Sequence, residues 1–248
     1  MSICWQYLTI CLRKVPFFMF FDRVRWLQIK NNTIFAVDFS IFNRNMTLTF
    51  VDIIDYLGTF AFAISGIRLA SAKQFDWFGA FIVGLATAVG GGTVRDLMLQ
   101  RSPFWMTQWI YLAITGFALV LFVLLRTHIN RIANTIFLFD TIGLGLFTVV
   151  GIQRTIDAGF PLWTACAMGM LTGAAGGVLR DILINEVPLI FRRDIYALAC
   201  FAGGVFYAWG HSQGLPIEAC AIGCAMVVII IRLLAVLFHW QLPILHES

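Results

Sequence analysis

Gly90-Gly91-Gly92-Thr93-Val94-Arg95-Asp96 returns 85 residues later as Ala175-Gly176-Gly177-Val178-Leu179-Arg180-Asp181. Both copies lie inside long apolar stretches. Consecutive glycines there weaken a helix by about 1 kcal/mol each relative to alanine, and ionisable residues are expensive at membrane depth. The same ungapped shift carries Asp55 onto Asp140, Gly58 onto Gly143, Phe62 onto Phe147 and Gly66-Ile67 onto Gly151-Ile152. It also carries Phe75 onto Phe160, Gly84 onto Gly169, Thr87 onto Thr172, Pro103 onto Pro188 and Ile110-Tyr111 onto Ile195-Tyr196. Composition bias matches apolar letters by chance, but not aspartate, arginine and proline together. The chain is an internal repeat.

The composition says in which solvent that repeat folds. Hydrophobic residues make up 60% of the chain and charged ones 12%, with a mean hydropathy of +0.86. So few charges cannot coat a soluble globule of 248 residues, and a net charge of +4 is too small and dispersed for nucleic acid. Hydropathy predicts helices over about 51–70, 78–99, 107–126, 136–154, 162–184, 194–210 and 217–238. Tyr56, Trp77, Trp105, Trp109, Tyr111, Trp163, Tyr207, Trp209 and Trp240 fall near their ends, where an aromatic belt would sit. The predicted fold is an all-α membrane protein: two three-helix repeats over 47–126 and 136–211, then a seventh helix over 216–240. Three spans is an odd number, so the second repeat enters from the opposite side, an inverted arrangement recurrent in transport proteins.

Residues 1–46 form an aromatic and basic extension whose first charge follows its first apolar stretch, unlike a secretory signal. Two readings of it stand: an interfacial segment, or a translation start at Met46. Arg68, Lys73, Arg126, Arg131, Arg192, Arg193 and Arg232 fall on one side of the predicted topology, Arg101 and Arg154 on the other. The positive-inside rule then places the C-terminus in the cytoplasm, although the basic residues of the extension argue the other way. Cys166, Cys200, Cys220 and Cys224 read as small hydrophobes within apolar runs, and the six cysteines form no CxxC pair. No P-loop, HExxH or GxSxG motif occurs, so neither ATP coupling nor enzymatic activity is expected, and no cofactor. The stretch "TAVGGG" at 87–92 lacks the order of a potassium filter.

The doubled motif admits two uses. Gly84, Ala88 and Gly92, like Gly169, Gly173 and Gly177, are spaced as small-residue packing ridges. Glycines also permit a kink or expose carbonyls to a water-filled path. The charges beside them favour a path lined by Gly90, Gly91, Gly92, Arg95, Asp96, Gly176, Gly177, Arg180 and Asp181, with Asp55 and Asp140. Neighbouring residues diverge by about 100° around a helix, so Arg95 is expected to pair across the repeats with Asp181, and Arg180 with Asp96. Asp55 and Asp140 are the competing partners.

The segments "DYLGTFAFAISG" at 55–66, "GGGTVRD" at 90–96, "FDTIGLGLFTVVG" at 139–151 and "GAAGGVLRD" at 173–181 resemble the trimeric intracellular cation (TRIC) channel superfamily. They most resemble its bacterial members, also described as glycine transporters and known as the UPF0126 membrane family. The resemblance covers about residues 47–240. It implies a three-plus-three-plus-one helix arrangement in the bacterial inner membrane, a homotrimer, and a hydrophilic pore in each subunit lined by the kinked second and fifth spans. The animal relatives conduct monovalent cations, chiefly potassium, and carry a lysine-containing motif where this chain has arginine and aspartate.

Two functions follow. One is passive conduction of potassium or sodium, with the four aspartates attracting cations and the arginines paired so that they do not repel them. The other is transport of a zwitterion such as glycine, with arginine on the carboxylate and aspartate on the ammonium. A purely structural membrane protein is the third class, disfavoured by the cost of buried charge.

Overall fold

Thr49 starts the first helix. Its hydroxyl accepts the Asp52 amide at 3.3 Å while the Asp52 carboxylate accepts the Thr49 amide at 3.1 Å, a capping box. In this computed structural model the described backbone covers residues 49–131, 135–191 and 195–240, with side chains 126–131 excluded. The extension over 1–46, Cys4, Cys11 and the basic side chains of Arg126, Arg131, Arg192 and Arg193 lie outside the described residues. All regular secondary structure among the described residues is helical. The helices are α1 (Phe50–Ala72), α2 (Trp77–Met98), α3 (Phe104–Thr107), α4 (Ile110–Arg131), α5 (Thr135–Ile156), α6 (Leu162–Leu183), α7 (Ala197–Ser212) and α8 (Ile217–Leu237). A 3-10 turn at Leu189–Phe191 stands where α3 stands in the first repeat.

Five helices, α1, α2, α5, α6 and α8, are long and apolar enough to cross a membrane. The apolar part of α4, Ile110–Leu125, and the 16-residue α7 are shorter. Two expected spans move. The helix anticipated from 107 breaks at Gln108, whose backbone is extended, and resumes at Ile110 to run on to Arg131. Pro103, which suits the start of a helical turn but cannot sit inside one, opens the turn Phe104–Thr107, and the extended Gln108 separates that turn from the next helix. The sixth predicted span also shifts, from 194–210 to Ala197–Ser212.

The helix ends repeat as the motifs do. Gln74 and Gly159 end α1 and α5, Gln100 and Asn185 end α2 and α6, and all four have left-handed backbone. Each is followed by a 6→1 hydrogen bond, such as Arg101 N to Asp96 O and Glu186 N to Asp181 O, both 2.8 Å. This is a Schellman-type close, which turns the chain sharply back over the helix end.

Between helices, the seams are small. In lipid, helix association rests on close packing rather than on burial from water. Gly66 faces the Thr87 hydroxyl and Gly84, and Gly151 faces the Thr172 hydroxyl and Gly169 in the same way. A methyl at Gly84 would strike Ile67 at 2.6 Å, and one at Gly169 would strike Ile152 at 2.6 Å. Five buried threonines satisfy themselves: Thr59, Thr87, Thr148, Thr155 and Thr172 each donate to the carbonyl four residues back. Outward faces carry Trp77, Leu124, Trp163 and Phe191, each more than 70% exposed, which suits contact with lipid tails.

Equivalent helices of the two repeats cross each other. Helices α1 and α5 run antiparallel: Asp52 meets Arg154 at one end, Gly58 meets Leu146 and Phe147, and Gly143 meets Phe62. At the α2–α6 crossing Gly91 lies against the Thr172 carbonyl, and a methyl at Gly176 would sit 2.5 Å from the Thr87 carbonyl. Helical structure continues through these glycines. Close backbone approach is thus one use these glycines serve. Helix α8, which has no repeat partner, covers α5 and α7.

Gly91→Ala is therefore expected to destabilise the protein by about 1–3 kcal/mol through overpacking, read as a lower melting temperature in detergent. Gly116→Ala on α4, where a methyl meets nothing within 4 Å, is expected to be neutral or stabilising by about 1 kcal/mol.

Candidate functional site

Just beyond the α2–α6 crossing lie the two arginine–aspartate pairs, and the structure corrects the expected pairing. Each arginine binds its own neighbour, not the aspartate of the other repeat. Arg95 Nε and Nη2 donate to Asp96 Oδ1 at 2.9 and 2.8 Å, and Arg180 Nε and Nη2 donate to Asp181 Oδ1 at 2.9 Å each. The divergence of neighbours around a helix does not forbid this. A guanidinium on a long stem folds back along the last turn, and its fork matches a carboxylate edge.

The second carboxylate oxygen has a different task. Asp96 Oδ2 accepts the amide of Phe104 at 3.0 Å, and Asp181 Oδ2 accepts that of Leu189 at 3.0 Å. Each amide belongs to the residue after the repeated proline, Pro103 or Pro188. One carboxylate thus ties a buried cation to the loop that returns over the helix end.

A second carboxylate approaches each pair from the first helix of its repeat. Asp140 on α5 accepts from Arg180 Nη1 at 2.5 Å, and the same nitrogen donates to Ser65 on α1 at 2.9 Å. Asp55 on α1 instead accepts from the Tyr111 hydroxyl at 2.9 Å. Arg95 Nη1 and Asp55 Oδ1 have no hydrogen-bond partner among the described residues. In the second repeat the unpartnered atoms are Asp140 Oδ2, the Tyr196 hydroxyl and the hydroxyl of Thr141 beside Asp140. Asp55, Arg95, Asp140 and Arg180 are each no more than 2% exposed.

All the charged residues singled out in the sequence are therefore brought together, in two half-sites flanking the glycine crossing. Several participants were not foreseen. Tyr111 and Tyr207, expected in an aromatic belt, are buried, with hydroxyls donating to Asp55 and to Gln153. A buried tyrosine needs a polar partner, and Tyr111 finds it in the first half-site. The sequence signal was available, because Tyr111 and Tyr196 align in the repeat. Arg232, counted only for orientation, is buried with its guanidinium 5.0 Å from the Tyr196 ring and 5.1 Å from that of Phe137. It also donates to the Ile195 carbonyl at 3.3 Å. Ser65 and Phe104 carry no motif that marks them. Phe104 packs edge-on against Tyr111 at 4.3 Å and lies 5.6 Å beneath Arg95.

The chain is similar to proteins of this architecture. The model of the family described as "Glycine transporter" matches it twice, over 52–127 and 137–212. The UPF0126 inner membrane protein YadS of Escherichia coli K12 is 36% identical over 193 residues, 77% of this chain and 93% of that protein. A UPF0126 membrane protein of Deinococcus radiodurans is 38% identical over 183 residues, 72% of this chain and 84% of that one. Among solved structures, a TRIC trimeric intracellular cation channel orthologue from Rhodobacter sphaeroides superposes with a TM-score of 0.72 at 32% identity, covering 76% of this chain and 98% of that one. A second TRIC cation channel superposes with a TM-score of 0.72 at 30% identity, covering 81% and 99%. The chain belongs to the glycine-transporter (UPF0126) family of membrane proteins and shares the fold of the bacterial TRIC channels.

Proposed function

We propose that this protein passively conducts monovalent cations, potassium or sodium, along a path in each subunit that passes the α2–α6 crossing. In this reading Gly90, Gly91, Gly92, Arg95, Asp96, Gly176, Gly177, Arg180 and Asp181 line the path together with Asp55 and Asp140. The observation that carries it is the doubled cluster itself. Two arginines and four aspartates buried among apolar helices are costly at membrane depth, and a route for charge is what such clusters serve. The objection that arginine repels cations is weakened, because both guanidinium groups are engaged by carboxylates. The similarity to TRIC cation channels supports the same class of permeant ion.

The membrane arrangement goes with it. Seven spans, with α4 and α7 the shorter ones, place the repeats in inverted orientation. The antiparallel contact of α1 with α5 supports that arrangement. The C-terminus is cytoplasmic, the membrane is the bacterial inner membrane, and the subunits assemble as a homotrimer, as the TRIC neighbours are named.

A second reading has its own observation. Arg95 Nη1 and Asp55 Oδ1, a buried donor and acceptor without partners, are the groups that would hold the carboxylate and ammonium of glycine, the solute in the family's description.

Purified protein in proteoliposomes is expected to develop a potassium-driven potential, altered in the Arg95→Ala/Arg180→Ala variant. No flux from folded protein, with saturable uptake of labelled glycine, would replace the first reading by the second. The half-sites also separate path from scaffold. Asp140→Asn removes a carboxylate that holds Arg180 and is expected to cost about 1.5–3 kcal/mol of stability, seen in thermal unfolding. Asp55→Asn keeps a tyrosine partner, and is expected to change flux with a much smaller effect on unfolding.

A further inference from the structure

The two half-sites contain the same four residues in two different pairings. In the second, Arg180 is on Asp140 and the Tyr196 hydroxyl rests against Gly177, 2.5 Å from where a methyl would be. In the first, Tyr111 is on Asp55, Arg95 Nη1 is unpartnered, and the space at Gly92 is taken by the Phe104 ring. Tyrosine thus has two seats, the aspartate or the glycine, and arginine reaches the aspartate where tyrosine has left it.

The sequence differences at equivalent positions explain which pairing each half adopts. Ser65, which gives Arg180 Nη1 its hydroxyl, aligns with Val150, an apolar and fully buried side chain. By the repeat symmetry Arg95 has no hydroxyl at that position. Phe104 aligns with Leu189, which has no ring to fill the Gly92 seat or to stack on the tyrosine. Arg232 on the unrepeated α8 lies over Tyr196, whereas Tyr111 has the rings of Tyr56 and Phe104 packed edge-on against it. The second half-site is held three ways: Asp140, Ser65 and Asp181 on Arg180. Each half-site leaves one carboxylate oxygen unmatched, Asp55 Oδ1 or Asp140 Oδ2, and the second also leaves the Tyr196 hydroxyl. In the first the other orphan is the cation's own nitrogen, Arg95 Nη1, the costlier of the two.

We propose that the half-sites are the two positions of one switch, and that the first is the working one: Asp55 exchanges Tyr111 for Arg95 to close the path. The second half-site, fixed by Ser65 and Arg232, is a static support. Val150 and Phe104 are positioning residues. They keep Arg95 from settling on Asp55 as Arg180 settles on Asp140. Opening and closing then require movement on one side of the crossing only. The switch is defined by hydrogen bonds, while its effect on flux rests on the conduction reading above.

The test transplants the second half-site into the first. Full-length protein carrying ¹³Cζ-labelled tyrosine is placed in nanodiscs, with Tyr111→Phe and Tyr196→Phe to assign the two signals. In Val150→Ser/Phe104→Leu the Tyr111 signal is expected to move to the position of Tyr196, and potassium flux to fall about tenfold, the effect of one added hydrogen bond to a charged group. Val150→Ser alone, which leaves Phe104 in place, is the variant to use if the double one does not fold, and is expected to shift the Tyr111 signal part of the way. An unmoved Tyr111 signal in folded variants overturns the switch. A moved signal with unchanged flux overturns its role in closing the path. A moved signal in a protein that carries no potassium, wild type included, upholds the exchange and overturns conduction instead.

Discussion

A guanidinium buried in a bundle at membrane depth is costly unless acceptors inside the protein engage it. Arg180 meets that demand with two carboxylates and a hydroxyl drawn from three helices, α5, α6 and α1. Those acceptors fix how the three helices sit. Asp181 extends the constraint to the loop through the Leu189 amide. The interior charge therefore organises the fold as well as the site.

The charges can converge because the backbones come close. The α2–α6 crossing at Gly91 and Gly176 brings each helix against a carbonyl of the other, an approach that any side chain at those positions would prevent. The arginines lie one turn further along, so the helix ends that carry them sit on opposite sides of the crossing. Threonines that return their hydroxyls to their own helix let polar residues fill these seams without cross-helix partners. Polar packing and charge placement are thus one arrangement, built on residues too small to keep the helices apart.

Much of this was legible in the sequence. The shift that aligns Asp55 with Asp140 and Arg95-Asp96 with Arg180-Asp181 gave the repeat, the helices and the residues that gather at the centre. The pairing was not legible, because it depends on side-chain reach. Helical spacing says that Arg95 and Asp96 point apart. It does not say that a long guanidinium stem at a helix end can fold back. Tyr111 was read as a belt residue because an aromatic near a span end usually is one. Its burial depends on α4 beginning at Ile110 after the break at Gln108, which hydropathy does not resolve. Arg232 looked like an orientation charge for the same reason: its partners, Phe137 and Tyr196, are distant in sequence.

What the repeat cannot do is make its halves equal. Duplication supplies each half with an aspartate, a tyrosine, an arginine and a second aspartate, and strict symmetry would give both the same pairing. The chain departs from symmetry where it matters. Ser65 stands against Val150, Phe104 against Leu189, and α8 with Arg232 has no counterpart at all. Each departure acts on the arginine or the tyrosine, and none falls on Gly91 or Gly176, where the backbones cross. The scaffold that brings the half-sites together keeps its symmetry, while the hydrogen bonds that distinguish them do not. A protein that needed only a rigid support would gain by satisfying both arginines alike. A carboxylate oxygen is unmatched in both half-sites, but only the first leaves its cation short of an acceptor, at Arg95 Nη1, and such a cost is the expected companion of a site that has to change.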